Sequence, residues 1–213
     1  RARAEGSEPR TPRTGTARTA FLCFPRRPKR GMTAARSVGA IGLGCMNLSH
    51  AYGHPPERDD AIRLLHRARD IGVTHFDTAA LYGFGNNEKL VGEALKNRRN
   101  DIYLASKCGM VGVDGKRVID GRPEALAKTI ENSLQNLQTD HIDLYYMHEW
   151  DGLTPVEEKM EALDMLIQQG KIRYAGCSNY TGWQLMKALG AADRLSQILD
   201  EYTHQLHLKE SKN

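Results

Sequence analysis

From Ala40 onward the chain alternates short apolar runs with amphipathic stretches, at a spacing of roughly 30 residues, which is the rhythm of repeated βα units. The apolar runs are Ala40–Leu43, Val73–Phe76, Ile102–Ala105, Ile142–Met147 and Ile172–Cys177. Each is too short for a helix of normal length and reads as a strand buried in a parallel sheet. Between them, Ile62, Leu65, Ala68 and Ile71 repeat at three-residue steps, Leu126, Ile130, Leu134 and Leu137 at three and four, and Val156, Met160, Leu163 and Ile167 likewise. Such spacing puts one apolar stripe on each helix, facing the sheet. Asn87–Leu95 and Gly182–Leu189 predict shorter helices, and Ile198–Leu199 suggests the start of a sixth strand.

Boundary residues support this parsing. Thr154-Pro155 followed by Glu157 and Glu158 predicts a helix start, with carboxylates against the positive end of the helix. Gly170 lies where that helix must stop. Val113-Asp114-Gly115-Lys116 predicts a tight hairpin turn inserted between the third strand and its helix. The expected fold is therefore α/β: an incomplete (β/α)8 barrel, the TIM-barrel architecture, with about five to six of its eight units.

Charge divides the chain. Residues 1–31 hold eight Arg and one Lys against Glu5 and Glu8, a local charge of +7. The whole chain carries +4, so the remainder carries −3. The high pI thus belongs to the first segment and makes no case for nucleic-acid binding. That segment is expected to be a disordered basic extension, with Met32 a candidate start; its Arg-rich, acid-poor composition also fits a transit peptide. Residues 32–199 form the expected partial barrel domain, and 200–213 a polar C-terminal tail. Cys23, Cys45, Cys108 and Cys177 show no metal-ligand spacing and fit a reducing compartment, and no apolar run is long enough to span a membrane. A cytoplasmic location follows as the expectation, without a metal, nucleic-acid or membrane partner. Nothing in the pattern addresses oligomeric state.

In a β/α barrel, chemistry sits where strands end at their C-termini. Asp77-Thr78-Ala79 and then Tyr82-Gly83 follow the second run, Ser106-Lys107 the third, His148 the fourth, and Ser178-Asn179 the fifth. These residue types suit reduction of a carbonyl, where hydride arriving at carbon leaves negative charge on oxygen that needs a proton donor and a stabilising dipole. Tyr82 would donate the proton, an adjacent Lys107 ammonium would favour its tyrosinate form, Asp77 would hold the ammonium in place, and His148 would orient the substrate oxygen. Taken singly, each has a blander explanation: Asp77 as a turn cap, Tyr82 as a turn aromatic, Lys107 as a surface charge and His148 as a structural histidine. Their placement at one end of successive strands outweighs those explanations. Cys45 and Cys108, also near strand ends, read as small, buried and inert.

Phe76-Asp77-Thr78-Ala79 with Leu81-Tyr82-Gly83, then Ser106-Lys107, then Ile142-Asp143-Leu144-Tyr145-Tyr146-Met147-His148, resembles the aldo-keto reductase superfamily. Gly42-Leu43-Gly44-Cys45-Met46 and Gly176-Cys177-Ser178-Asn179 extend the likeness over about residues 38–192, and Arg117–Glu124 is similar to its bacterial and plant NADP-dependent branch. The resemblance implies hydride transfer from NADPH to aldehydes and ketones, with Asp77, Tyr82, Lys107 and His148 as the catalytic group. It implies Gly44, Cys45, Met46, Asp77, Ser178 and Asn179 as cofactor-binding residues, and Met46, Tyr82, His148 and Trp150 as walls of the substrate pocket.

The likeness fades after residue 192. Asp200-Glu201-Tyr202 only faintly matches the family's aromatic seventh-strand segment, with Leu199 where a glutamine belongs, and the loops that hold the pyrophosphate and 2′-phosphate have no counterpart. The chain is therefore expected to be truncated, marginally stable alone, and slow or inactive in turnover. The alternatives are a non-catalytic regulatory relative, such as the barrel-shaped subunits of potassium channels, or an inactive truncated product; the presence of His148 favours the enzyme. The carbonyl substrate, and NADPH over NADH, are left open by the sequence.

Overall fold

The computed structural model describes residues 38–39, 41–49 and 53–210, with side chains as far as residue 196. The basic segment 1–31 and the candidate start Met32 lie outside the described residues. Five parallel strands form one sheet in the order β1 (Gly42–Gly44), β2 (His75–Asp77), β3 (Tyr103–Cys108), β6 (Ile142–Met147) and β7 (Ile172–Cys177). Between β3 and β6 a separate antiparallel hairpin pairs β4 (Met110–Val113) with β5 (Lys116–Ile119). Its turn residues Asp114 and Gly115 both have positive φ, 49° and 73°, as the predicted tight turn requires.

The helices α1 (Arg58–Asp70), α2 (Asn86–Leu95), α3 (Pro123–Leu137) and α4 (Val156–Gln168) return the chain from one strand to the next. Their apolar stripes meet one face of the sheet, through Leu65 of α1, Val91 of α2, Leu126 and Ile130 of α3, and Leu163 of α4. Each such buried side chain contributes about 1.5–3 kcal/mol against exposure. Pro155 stands at the N-cap of α4 with Glu157 and Glu158 in its first turn, while Gly170, at φ 75°, takes the left-handed conformation that ends it. The Thr154 hydroxyl does not cap α4; it donates to Asp151 at 2.6 Å.

The other face of the sheet carries Tyr103, Ala105, Leu144 and Tyr146, with Tyr174 beside them. Strand side chains alternate between faces, so this inner face continues toward the strand ends as Asp77, Lys107 and His148. At the opposite end, the fully buried Asp143 ties the strands together: it accepts the backbone N–H of Leu104 at 2.9 Å and pairs with Arg99 at 2.7 Å and Arg173 at 3.3 Å.

One element differs from expectation. No strand forms at Ile198–Leu199, because α5 runs unbroken from Gly182 to Glu210. An isolated apolar pair has no period of its own, and the helix already under way absorbs it. Residues 200–210, expected as a tail, continue the same helix. Among the described residues the fold is thus five βα units of a barrel wall, with β1 and β7 at the edges of the sheet. None of the helices among the described residues is long and apolar enough to cross a membrane.

Candidate active site

The ladder of backbone hydrogen bonds sets the site's frame. Asp77 is the last residue of β2 and pairs in register with Gly44 and Ala105. Lys107 pairs with Tyr146, and beyond the end of β6 the N–H of His148 still donates to the Cys108 carbonyl at 2.8 Å. Ser178, just past β7, donates its N–H to the Met147 carbonyl at 2.9 Å. Four of the five strand ends therefore present polar groups at one level.

Lys107 is the centre of the arrangement. It is 5% exposed, and its ammonium pairs with the Asp77 carboxylate, donates to the Thr78 carbonyl at 2.8 Å and reaches the Tyr82 hydroxyl at 3.3 Å. A buried ammonium without such partners would be strongly penalised, and here two oxygens and a counter-charge meet it. Tyr82 enters from the tight turn after β2, and its ring packs edge-on to His148 with centroids 5.7 Å apart. His148 is 7% exposed. Burial, followed by the charges of Lys107 and Arg117, pushes its imidazole down to about 4, so the ring is neutral at neutral pH. Its Nδ1 is buried and has no partner among the described residues. The four residues expected to form the catalytic group are thus brought together.

The other expected positions divide. The Asn179 amide nitrogen donates to the His148 carbonyl at 3.0 Å, and Ser178, the preceding residue, is half-exposed. Gly44 is exposed and Met46 half-buried at the end of β1. The Cys45 thiol is fully buried among core side chains, and burial, aided by the Asp77 charge, pushes it up to about 12. Burial alone pushes the Cys108 thiol up to about 12, so both thiols stay protonated at neutral pH. Trp150 is committed to other partners: Tyr180 at 5.2 Å and Trp183 at 5.6 Å pack edge-on against it, and the Lys159 ammonium lies 4.6 Å over its ring.

A supporting network was not foreseen from the sequence. Asn87, fully buried at the start of α2, accepts from the Thr78 hydroxyl at 2.6 Å and donates to the Cys45 carbonyl at 2.8 Å and to the Ser49 hydroxyl at 2.9 Å. It thereby fastens the loop after β1 to the loop that carries Lys107's acceptors. Glu88, 1% exposed, accepts from Ser106 at 2.6 Å on the opposite side of β3 from Lys107, and burial holds its carboxyl above the ordinary range. The available signal was Asn87-Glu88 in the first turn after Gly85, where a helix begins.

A profile of the aldo/keto reductase family matches residues 40–211. The NADP(+) aldo-keto reductase yakc of Schizosaccharomyces pombe is 38% identical over 171 residues, which cover 78% of this chain and 50% of that protein. Among solved structures, the holo form of aldo-keto reductase AKR11C1 from Bacillus halodurans superposes with a TM-score of 0.61 at 39% identity, over 67% of this chain and 46% of its own. An aldo/keto reductase from Klebsiella pneumoniae in complex with NADP and acetate gives 0.58 at 32% identity, over 70% and 49%. The chain spans about half the length of the relatives it matches. The strand order, the assembled Asp77–Tyr82–Lys107–His148 group and these likenesses together place the chain in the aldo/keto reductase family.

Proposed function

We propose that the site reduces aldehydes and ketones to alcohols with NADPH, Tyr82 acting as general acid. The observation that carries this reading is the nearly buried Lys107 ammonium shared between the Asp77 carboxylate and the Tyr82 hydroxyl. As charge develops on the substrate oxygen, Tyr82 gives up its phenolic proton. The ammonium 3.3 Å away then stabilises the phenolate left behind. Asp77 and the Thr78 carbonyl keep that ammonium fixed, so little reorganisation accompanies proton transfer. Neutral His148 donates one ring N–H to the same oxygen; the buried, unpartnered Nδ1 favours the tautomer with its proton on Nε2, the nitrogen left for substrate.

NADPH, when bound, supplies the hydride. Its carboxamide needs one acceptor and one donor, and the Asn179 amide oxygen and the Ser178 hydroxyl offer that pair. Gly44, the Cys45 backbone and Met46, with Asp77, would border the nicotinamide, and Met46, Tyr82 and His148 the substrate. Trp150 would wall the pocket from behind the ring stack it makes with Tyr180. Because the chain spans about half of its relatives' length, turnover by the chain alone is expected to be slow.

The test mixes the full chain with millimolar NADPH and an aromatic aldehyde and follows NADPH absorbance. A slow rate that Tyr82→Phe lowers by about 10²-fold supports the proposal. Wild-type and Y82F chains with equal rates would overturn it.

A further inference from the structure

The hairpin β4–β5 is docked over the Tyr82 turn by a contact with no room for a side chain. Gly83, Phe84 and Gly85 all have positive φ, at 55°, 53° and 88°, and this turn presents the Phe84 ring to Gly112 of β4 so closely that a Cβ on Gly112 would fall inside the ring's contact radius. Phe84 adopts a left-handed conformation that non-glycine residues rarely take, so the docking is held against strain.

Register then fixes what lies beside it. Arg117 is the direct cross-strand partner of Gly112, and such pairs share one face of a hairpin with Cβ positions about 4.5–5.5 Å apart. The Arg117 side chain therefore leaves the hairpin next to Phe84, two residues from Tyr82. Lys116 pairs with Val113, the neighbouring position, and so belongs to the opposite face. Arg122 is tied to Asp120 at 2.6 Å, while Arg117 has no carboxylate partner among the described residues. The nearest acid of the catalytic group, Asp77, is already paired with Lys107. The Arg117 charge is felt inside the site, since it helps to push the His148 imidazole down.

We propose that Arg117 is a specificity-determining residue: it forms an anion subsite beside the Tyr82 turn, selecting carbonyl substrates that carry a carboxylate. This rests on the reductase reading above and names its substrate class. A guanidinium offers a planar fork that matches a carboxylate with two parallel hydrogen bonds, and it cannot lose its charge at working pH.

The probes are para-carboxybenzaldehyde and its methyl ester, which share the reacting aldehyde and differ in charge. The full chain is expected to show a higher kcat/KM for the acid, and Arg117→Met to lower the acid-to-ester ratio by about fivefold. Added salt should lower the wild-type ratio and leave that of R117M flat. An acid-to-ester ratio that R117M does not change, or an equal loss on both aldehydes, overturns the anion subsite while the reductase reading stands. Reduction of neither aldehyde by the wild-type chain overturns both.

Discussion

The Lys107 ammonium and the Tyr82 hydroxyl stand 3.3 Å apart, joined across 25 residues of sequence by the end of β3 and the turn that follows β2. Neither group makes sense without the other. The ammonium is too buried to be a solvated surface charge, and the phenol is half-buried against a cation able to stabilise its conjugate base. Replacing Lys107 with Met is expected to lower the rate of aldehyde reduction by about 10²-fold or more, with the helical circular dichroism signal retained. A K107M chain with wild-type turnover would remove Lys107 from the chemistry.

Protonation of His148 links the site to stability. Its folded value of about 4 lies below the ordinary 6.5, so between these two values the unfolded chain binds the extra proton and the folded chain does not. Stability should therefore fall as pH drops from about 6.5 toward about 4, by on the order of 3 kcal/mol for this group. His75 and His141 are depressed in the same direction by burial and add to the slope. Urea midpoints measured across that window for wild type and His148→Gln should diverge most at the acid end, with the variant the flatter of the two.

Lys159 and Asp151 form a further buried ion pair, with side chains 0% and 4% exposed. Burial opposes the Asp151 charge, but hydrogen bonds from Lys159 and Thr154 more than offset it and hold the carboxyl below its ordinary range. Asp151 also accepts the Gly121 N–H at 3.0 Å, so the pair ties the loop after His148 to the entrance of α3. Lys159→Met, which strands the carboxylate, should cost about 3 kcal/mol of unfolding free energy. Adding Asp151→Asn should return much of it, and a double-mutant cycle in urea reads the coupling.

Gly112 permits no side chain under Phe84. Gly112→Ala should destabilise the chain by about 1–3 kcal/mol or undock the hairpin, visible as faster amide exchange over residues 110–119. Combining it with Phe84→Ala should cancel most of the effect. Additive losses in the double variant would mean that the two residues do not act through their contact.

Much of this architecture is legible in the sequence because the strands of a parallel sheet leave short, mostly apolar runs, and the residues after those runs fall on one rim. Asp77, Tyr82, Lys107 and His148 stand out for that reason. Asn87 and Glu88 do not, since polar residues opening a helix look solvated until tertiary packing covers them. Lys159 is hidden similarly: on an amphipathic helix a lysine reads as outward-facing, and only the loop carrying Asp151 reveals that it turns in. The extent of α5 was lost because Ile198–Leu199 is too short to distinguish strand from helix by periodicity.

The strand-end placement of the site has a kinetic consequence. Asp77 meets Lys107 across 30 residues, and His148 meets Asn179 across 31, each through a complete helical crossover. Asp77 and Tyr82 share one βα unit, but Lys107 and His148 come from two others, so no single unit assembles the proposed proton-transfer group. Loop closure must be completed several times before the first productive encounter of acid, ammonium and imidazole. Assembly of the proposed catalytic group is therefore a late and collective event in folding, arriving with the pairing of the strands rather than with the formation of the helices.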